Sequence, residues 1–134
     1  MKAAIGKAER RTSGEIRVFV EDRSADDPLD RAAFLFNKLG MAKTDLHNGV
    51  LIYVALKDKK FSIIGDKGIH EKVGPGFWDA IKEKMTSHFR EGRIFDGIVT
   101  AVEDAGEALA GHFPYSSGDR NELSDDVIFG EPEQ

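Results

Sequence analysis

The chain has 134 residues, 40% of them hydrophobic and 32% charged, with a formal net charge of −5 and no cysteine. That length supports one globular domain with a real core. The missing cysteines exclude disulfides, thiolate nucleophiles and cysteine-type zinc sites. The charge is localised: from Pro114 onward Asp119, Glu122, Asp125, Asp126, Glu131 and Glu133 face only Arg120, which leaves the remainder neutral. A neutral body with an acidic tail lacks the basic surface that phosphate neutralisation needs, so nucleic acid is not an expected partner. No apolar run approaches the roughly 20 residues of a membrane helix, and the N-terminus has no apolar stretch of signal-peptide length. A soluble, cytoplasmic monomer that does not insert into membranes is expected.

Residues 3 to 12 read as an amphipathic helix, with Ala4, Ile5 and Ala8 apolar among lysines and arginines, and Gly14 follows as a C-terminal cap. Ile16-Arg17-Val18-Phe19-Val20 is β-branched and aromatic and reads as a strand, with Arg17 near its start so that the head can escape. Glu21 to Asp27 is a polar loop. Asp27-Pro28 then opens a helix, Asp as N-cap and Pro at the first position. Leu29, Ala32, Ala33, Phe36 and Leu39 give its apolar spacing, and Gly40 closes it. Val50 to Leu56 is apolar without alternation, as in a central strand covered on both faces. Lys57-Asp58-Lys59-Lys60 turns the chain into a further strand, Phe61 to Ile64.

Gly74-Pro75-Gly76 breaks the chain. Phe77, Trp78, Ile81, Met85 and Phe89 form a helical stripe that stops at Gly92. Ile94, Ile98, Val102, Ala105 and Leu109 belong to a second, which ends at Pro114. Residues 1–114 therefore make one domain, and residues 115–134 an acidic, flexible tail whose short run Val127-Ile128-Phe129 could dock on the body.

The strand–helix–strand unit implies two parallel strands joined by a right-handed crossover, and the tight turn adds a third strand antiparallel to the second. On that topology the starts of strands one and two and the end of strand three share an edge. Glu15, Asn48 and Asp66 then meet at one rim, with His47 beside them. Two carboxylates, an amide and neighbouring loop carbonyls suit a hard divalent cation, Ca²⁺ or Mg²⁺. The same residues also serve ordinary duties: Asn before Gly is turn chemistry, Asp beside Gly caps a loop, and Glu pairs with a nearby base. Gly65 and Gly68 lack the Lys-Ser/Thr ending of a phosphate loop and read as a strand-exit turn. His70, His88 and His112 show no two-histidine metal spacing, and Ser13 and Ser62 have no evident base partner.

Arg11-Thr12-Ser13-Gly14-Glu15-Ile16-Arg17-Val18, Asn48-Gly49-Val50-Leu51-Ile52-Tyr53-Val54, Ile64-Gly65-Asp66-Lys67-Gly68-Ile69 and Phe77-Trp78 occur in this order. Together they resemble the TPM-domain family over roughly residues 3 to 114. Asn121-Glu122-Leu123 through Phe129-Gly130 resembles the C-terminal extension of short bacterial members. The resemblance implies an α/β fold, a three-layer α/β/α sandwich with a small mixed, partly parallel sheet. It also implies a divalent-cation site on a strand edge, usually discussed as calcium. Some members of that family are described as acid phosphatases and others as membrane-tethered accessory domains. The resulting expectation is a cation-binding accessory module at Glu15, Asn48, Asp66 and His47, working with a membrane-associated protein partner. A metal-dependent acid phosphatase using the same rim is the alternative.

Overall fold

Three apolar segments pair into a sheet at the centre of the computed structural model, which describes residues 3, 5, 6, 12–24, 26–114 and 128–129. β1 (Glu15–Glu21) lies parallel to β2 (Gly49–Ala55), and α1 (Pro28–Lys38) connects them. β3 (Lys60–Gly65) runs antiparallel to β2 after a tight turn. A two-residue strand, β4 (Ile128–Phe129), joins the other side of β1 in parallel, opposite Phe19 and Val20, so the order is β3-β2-β1-β4. The apolar run at the end of the chain thus supplies a strand. The remainder of residues 115–134, and most of the helix expected over 3 to 12, lie outside the described residues. Ala3, Ile5 and Gly6 are helical, and Ile5 is fully buried.

β2 is buried along its whole length because helices cover both sides of the sheet. On one face Phe19, Leu51, Tyr53 and Ala55 pack against Ala32, Leu35 and Phe36 of α1 and against Met41. On the other, Ile16, Val18, Ile52 and Val54 pack beneath α2 (Lys67–Val73), α3 (Pro75–Arg90) and α4 (Ile94–His112). Alternate residues of one strand feed opposite layers, which is why the run from Val50 shows no polar position. The result is the α/β/α sandwich with a mixed sheet.

α1 starts where its sequence signal lies: Asp27 Oδ2 accepts from the Leu29 N–H at 3.1 Å, with Pro28 at the first position. Its apolar face is rotated from the expected one. Leu35 is buried, while Leu29 and Ala33 point to solvent. Phe34 is also exposed, beneath the cations of Arg31 and Lys38. α2 is not apparent from periodicity. It has seven residues, Gly68 sits inside it, and only Ile69 is buried. Arg17 does not escape to solvent; at 7% exposure it is part of the buried strand.

Charge ties α1 to the far end of the sheet. Arg31 clasps Glu21 with two hydrogen bonds, Nε to Oε2 at 2.9 Å and Nη2 to Oε1 at 3.0 Å, and the Tyr53 hydroxyl donates to the same carboxylate. Burial alone would raise the Glu21 pKa, but the bonds from Arg31 and Tyr53 outweigh it and hold the carboxyl below its ordinary value. Burial, followed by the bond to Glu21, pushes the Tyr53 phenol up to about 12. Replacing Glu21 with Gln is expected to cost about 1–3 kcal/mol at neutral pH, because Arg31 and Tyr53 lose a charged acceptor. A carboxyl whose folded pKa is lowered stabilises fully above its unfolded pKa and loses that contribution as pH falls through the folded value. Melts of wild type and Glu21→Gln should therefore converge in acid; a gap independent of pH would assign the loss to packing alone.

Candidate metal centre

Register brings the three motif segments to one rim. Glu15, the first residue of β1, lies opposite Gly49, and Gly65, the last of β3, lies opposite Val50. Asn48 therefore precedes, and Asp66 follows, the same end of adjacent strands. Backbone bonds lace the rim together. The Glu15 N–H donates to the Asn48 carbonyl at 3.4 Å, the Asp66 N–H to Gly49 at 2.9 Å, and the Ile69 N–H to His47 at 3.3 Å.

Asn48 and Asp66 also have structural duties. Asn48, 1% exposed, donates from Nδ2 to Ser13 Oγ at 3.4 Å. Asp66 is the N-cap of α2: Oδ1 accepts from the Lys67 N–H at 2.8 Å. Its other oxygen, Oδ2, lies 3.3 Å from His47 Nδ1. His47 sits at φ 50, left-handed backbone that costs a non-glycine residue energy. Glu15 is 3% exposed. The turn-and-cap reading of Asn48 and Asp66 is thus realised; the backbone brings all four residues to the same end of the sheet, and among their side chains His47 and Asp66 meet.

The oxygens at this rim are hard donors. Among the described residues no three His, Cys, Asp or Glu side chains gather closely enough to hold a metal ion. A cation here would draw on the Asn48 amide oxygen and loop carbonyls as well as on carboxylates, a set that fits Ca²⁺ or Mg²⁺ in kind. At the opposite rim the acids are answered by other groups. Asp22 lies 3.7 Å from Lys57, Asp58 lies 3.9 Å from Arg23, and Asp58 also accepts from the Ser24 N–H at 2.8 Å.

The motif glycines are explained by close approach rather than by a phosphate. A Cβ on Gly65 would fall 2.3 Å from the Trp78 ring, and one on Gly68 would fall 2.2 Å from the Leu46 carbonyl oxygen. Trp78 is held in turn by its Nε1–H bond to His70 Nδ1 at 3.1 Å. Thr12 is a further anchor that spacing does not reveal. Its hydroxyl meets the carbonyls of Leu109 and Phe113, which end α4, and accepts from the Gly14 N–H at 3.0 Å. Thr44, beside the rim loop, buries a hydroxyl with no hydrogen-bond partner among the described residues.

Gly68 offers a test with opposed signs. Inside a helix, Gly→Ala ordinarily stabilises by roughly 0.5–1 kcal/mol. Here the added methyl meets backbone, so Gly68→Ala should instead destabilise by about 1–3 kcal/mol. Denaturant unfolding reads the sign directly, and stabilisation would mean that α2 and the rim loop pack less closely than described.

The family profile of the TPM domain matches residues 1–108. The chain is similar to the BA42 protein from the psychrophilic bacterium Bizionia argentinensis. The NMR structure of that protein aligns with a TM-score of 0.88 at 46% identity, over 96% of this chain and 89% of that one. The N-terminal domain of a protein from P. gingivalis shares the fold, with a TM-score of 0.68 at 23% identity over 83% of this chain and 72% of that one. No curated protein matches. With its sandwich fold, its motifs in order and a match across most of its length, the chain belongs to the TPM domain family.

Proposed function

We propose that this TPM domain is a divalent-cation-binding accessory module whose ion sits among Glu15, Asn48 and Asp66. The observation that supports the reading is the register of three strand ends, which brings the backbone of Glu15, Asn48 and Asp66 to one edge of the sheet. The ion takes the place of His47 beside Asp66 Oδ2; the His47 side chain, 39% exposed, has room to turn away. Carboxylate and amide oxygens, loop carbonyls and water together make up the roughly 6–8 ligands of Ca²⁺. With two carboxylates and few rigid ligands, binding is modest. A bound ion links the first turn of α2 to the starts of β1 and β2, and so shapes this end of the molecule for a membrane-associated protein partner. Among the described residues no helix is long and apolar enough to cross a membrane.

Calorimetric titration with Ca²⁺ and Mg²⁺ tests the reading. Asp66→Asn keeps an oxygen that caps α2 but removes the charge. It should weaken binding at least about tenfold, equivalent to ~1.4 kcal/mol, with little change in melting temperature. Asp66→Ala should lose the same affinity and, with the cap gone, about 1 kcal/mol of stability. A silent wild type, or an Asn variant that binds as well as wild type, contradicts the proposal. A phosphatase would need metal-bound hydroxide and donors for the developing charge. Metal-dependent turnover of a phosphomonoester, abolished in Glu15→Gln, would replace the accessory reading with the enzymatic one.

A further inference from the structure

A cleft of about 600 Å³ opens at the other end of the sheet, between the β2–β3 turn and the α3–α4 turn. Leu56, Phe61, Phe89 and Ile94 supply apolar lining, with Phe61 and Phe89 edge to face at 5.2 Å between ring centres. The charged residues of the lining are Lys59 and Arg90, both exposed. Neither makes an ion pair among the described residues. The acids adjacent to them in sequence are engaged elsewhere: Asp58 with Arg23 and the Ser24 N–H, Glu91 with Arg93. In a chain of net charge −5, this is a local cationic pair set on an apolar hollow.

The backbone of Lys59 adds an independent observation. Its φ is 55, in the left-handed region that a tight turn ordinarily fills with Gly or Asn. A lysine held there keeps backbone strain that glycine would relieve, and strained residues of this kind cluster at functional sites. The position puts an ammonium at the edge of the cleft.

We propose that this cleft binds a single-chain amphiphile with an anionic head, of the medium-chain carboxylate class. The hydrocarbon chain lies against Phe61 and Phe89, and the carboxylate meets Lys59 and Arg90. The volume falls within the roughly 300–1,000 Å³ of small-molecule sites, and an apolar hollow with a few convergent polar groups is their usual composition. The site is separate from the cation rim, so a chelator in the buffer keeps the two apart.

The test is an amide-resonance titration of the whole chain with sodium octanoate, far below its micelle concentration and in chelator. Saturable shifts are expected over residues 54–56, 59–61 and 89–94. Lys59→Gly and Arg90→Gln should each weaken binding about three- to fivefold, the scale of an exposed ion pair. Lys59→Gly should do so while its melting temperature stays level or rises, which a merely structural lysine would not produce. The neutral 1-octanol should bind more weakly than octanoate by a similar factor. Shifts that fail to saturate, or that spread to the exposed Phe34 and Leu46, would overturn the proposal. Octanol binding as tightly as octanoate, or wild-type affinity in Lys59→Gly, would overturn it equally.

Discussion

The parallel pairing of β1 with β2 is the constraint on which the remaining structure depends. Its register, Glu15 to Gly49 through Glu21 to Ala55, fixes both ends of the sheet at once. At one end it sets Ser13 against Asn48 and leads Asp66 onto the same rim. At the other it brings Glu21 beside Tyr53, where Arg31 reaches back from the connecting helix. A slip of one residue would turn every side chain of β1 to the wrong layer, exchanging Ile16, Val18 and Val20 for Arg17 and Phe19 beneath α3 and α4. Burial of β2 on both faces makes that exchange prohibitive. The two ends therefore have separate characters built on one ladder. One is laced by backbone bonds around hard oxygens, and the other combines answered charges with an apolar hollow.

Much of this architecture was legible in the chain. The unbroken apolar run from Val50 could only be a doubly covered strand, Asp27-Pro28 marked the start of α1, and the crossover followed by a tight turn implied the shared rim. What stayed hidden were effects of tertiary contact. α2 lacks an apolar stripe because it is a single short helix begun by the Asp66 cap, and a glycine inside it reads as loop. That glycine is required by the Leu46 carbonyl, a contact that no spacing rule contains. The buried face of α1 runs through Leu35 instead of Leu29 and Ala33, since how a helix rolls on a sheet is decided by the strands beneath it. Burial of Arg17 is likewise set by what surrounds β1.

Asp66 shows how structural and binding roles share a residue. One carboxylate oxygen begins α2 and the other faces His47, so the group is positioned before any ligand arrives. Pre-positioning of that kind lowers the ordering cost of binding a cation. Glycines stand on either side of the residue for reasons of close packing: Gly65 admits Trp78, and Gly68, two positions on, admits the rim loop. Membership of the TPM domain family establishes the fold, while an activity has to be argued from the site itself.

The central claim is that a cation binds where the starts of β1 and β2 meet the end of β3. Paramagnetic relaxation by Mn²⁺ locates an ion directly, because broadening of amide resonances falls steeply with distance. The account predicts that substoichiometric Mn²⁺ broadens Glu15, Asn48 and Lys67 first and leaves Asp22 and Asp58 sharp. Broadening centred on Asp22 and Asp58, with the Glu15 rim unaffected, would contradict it.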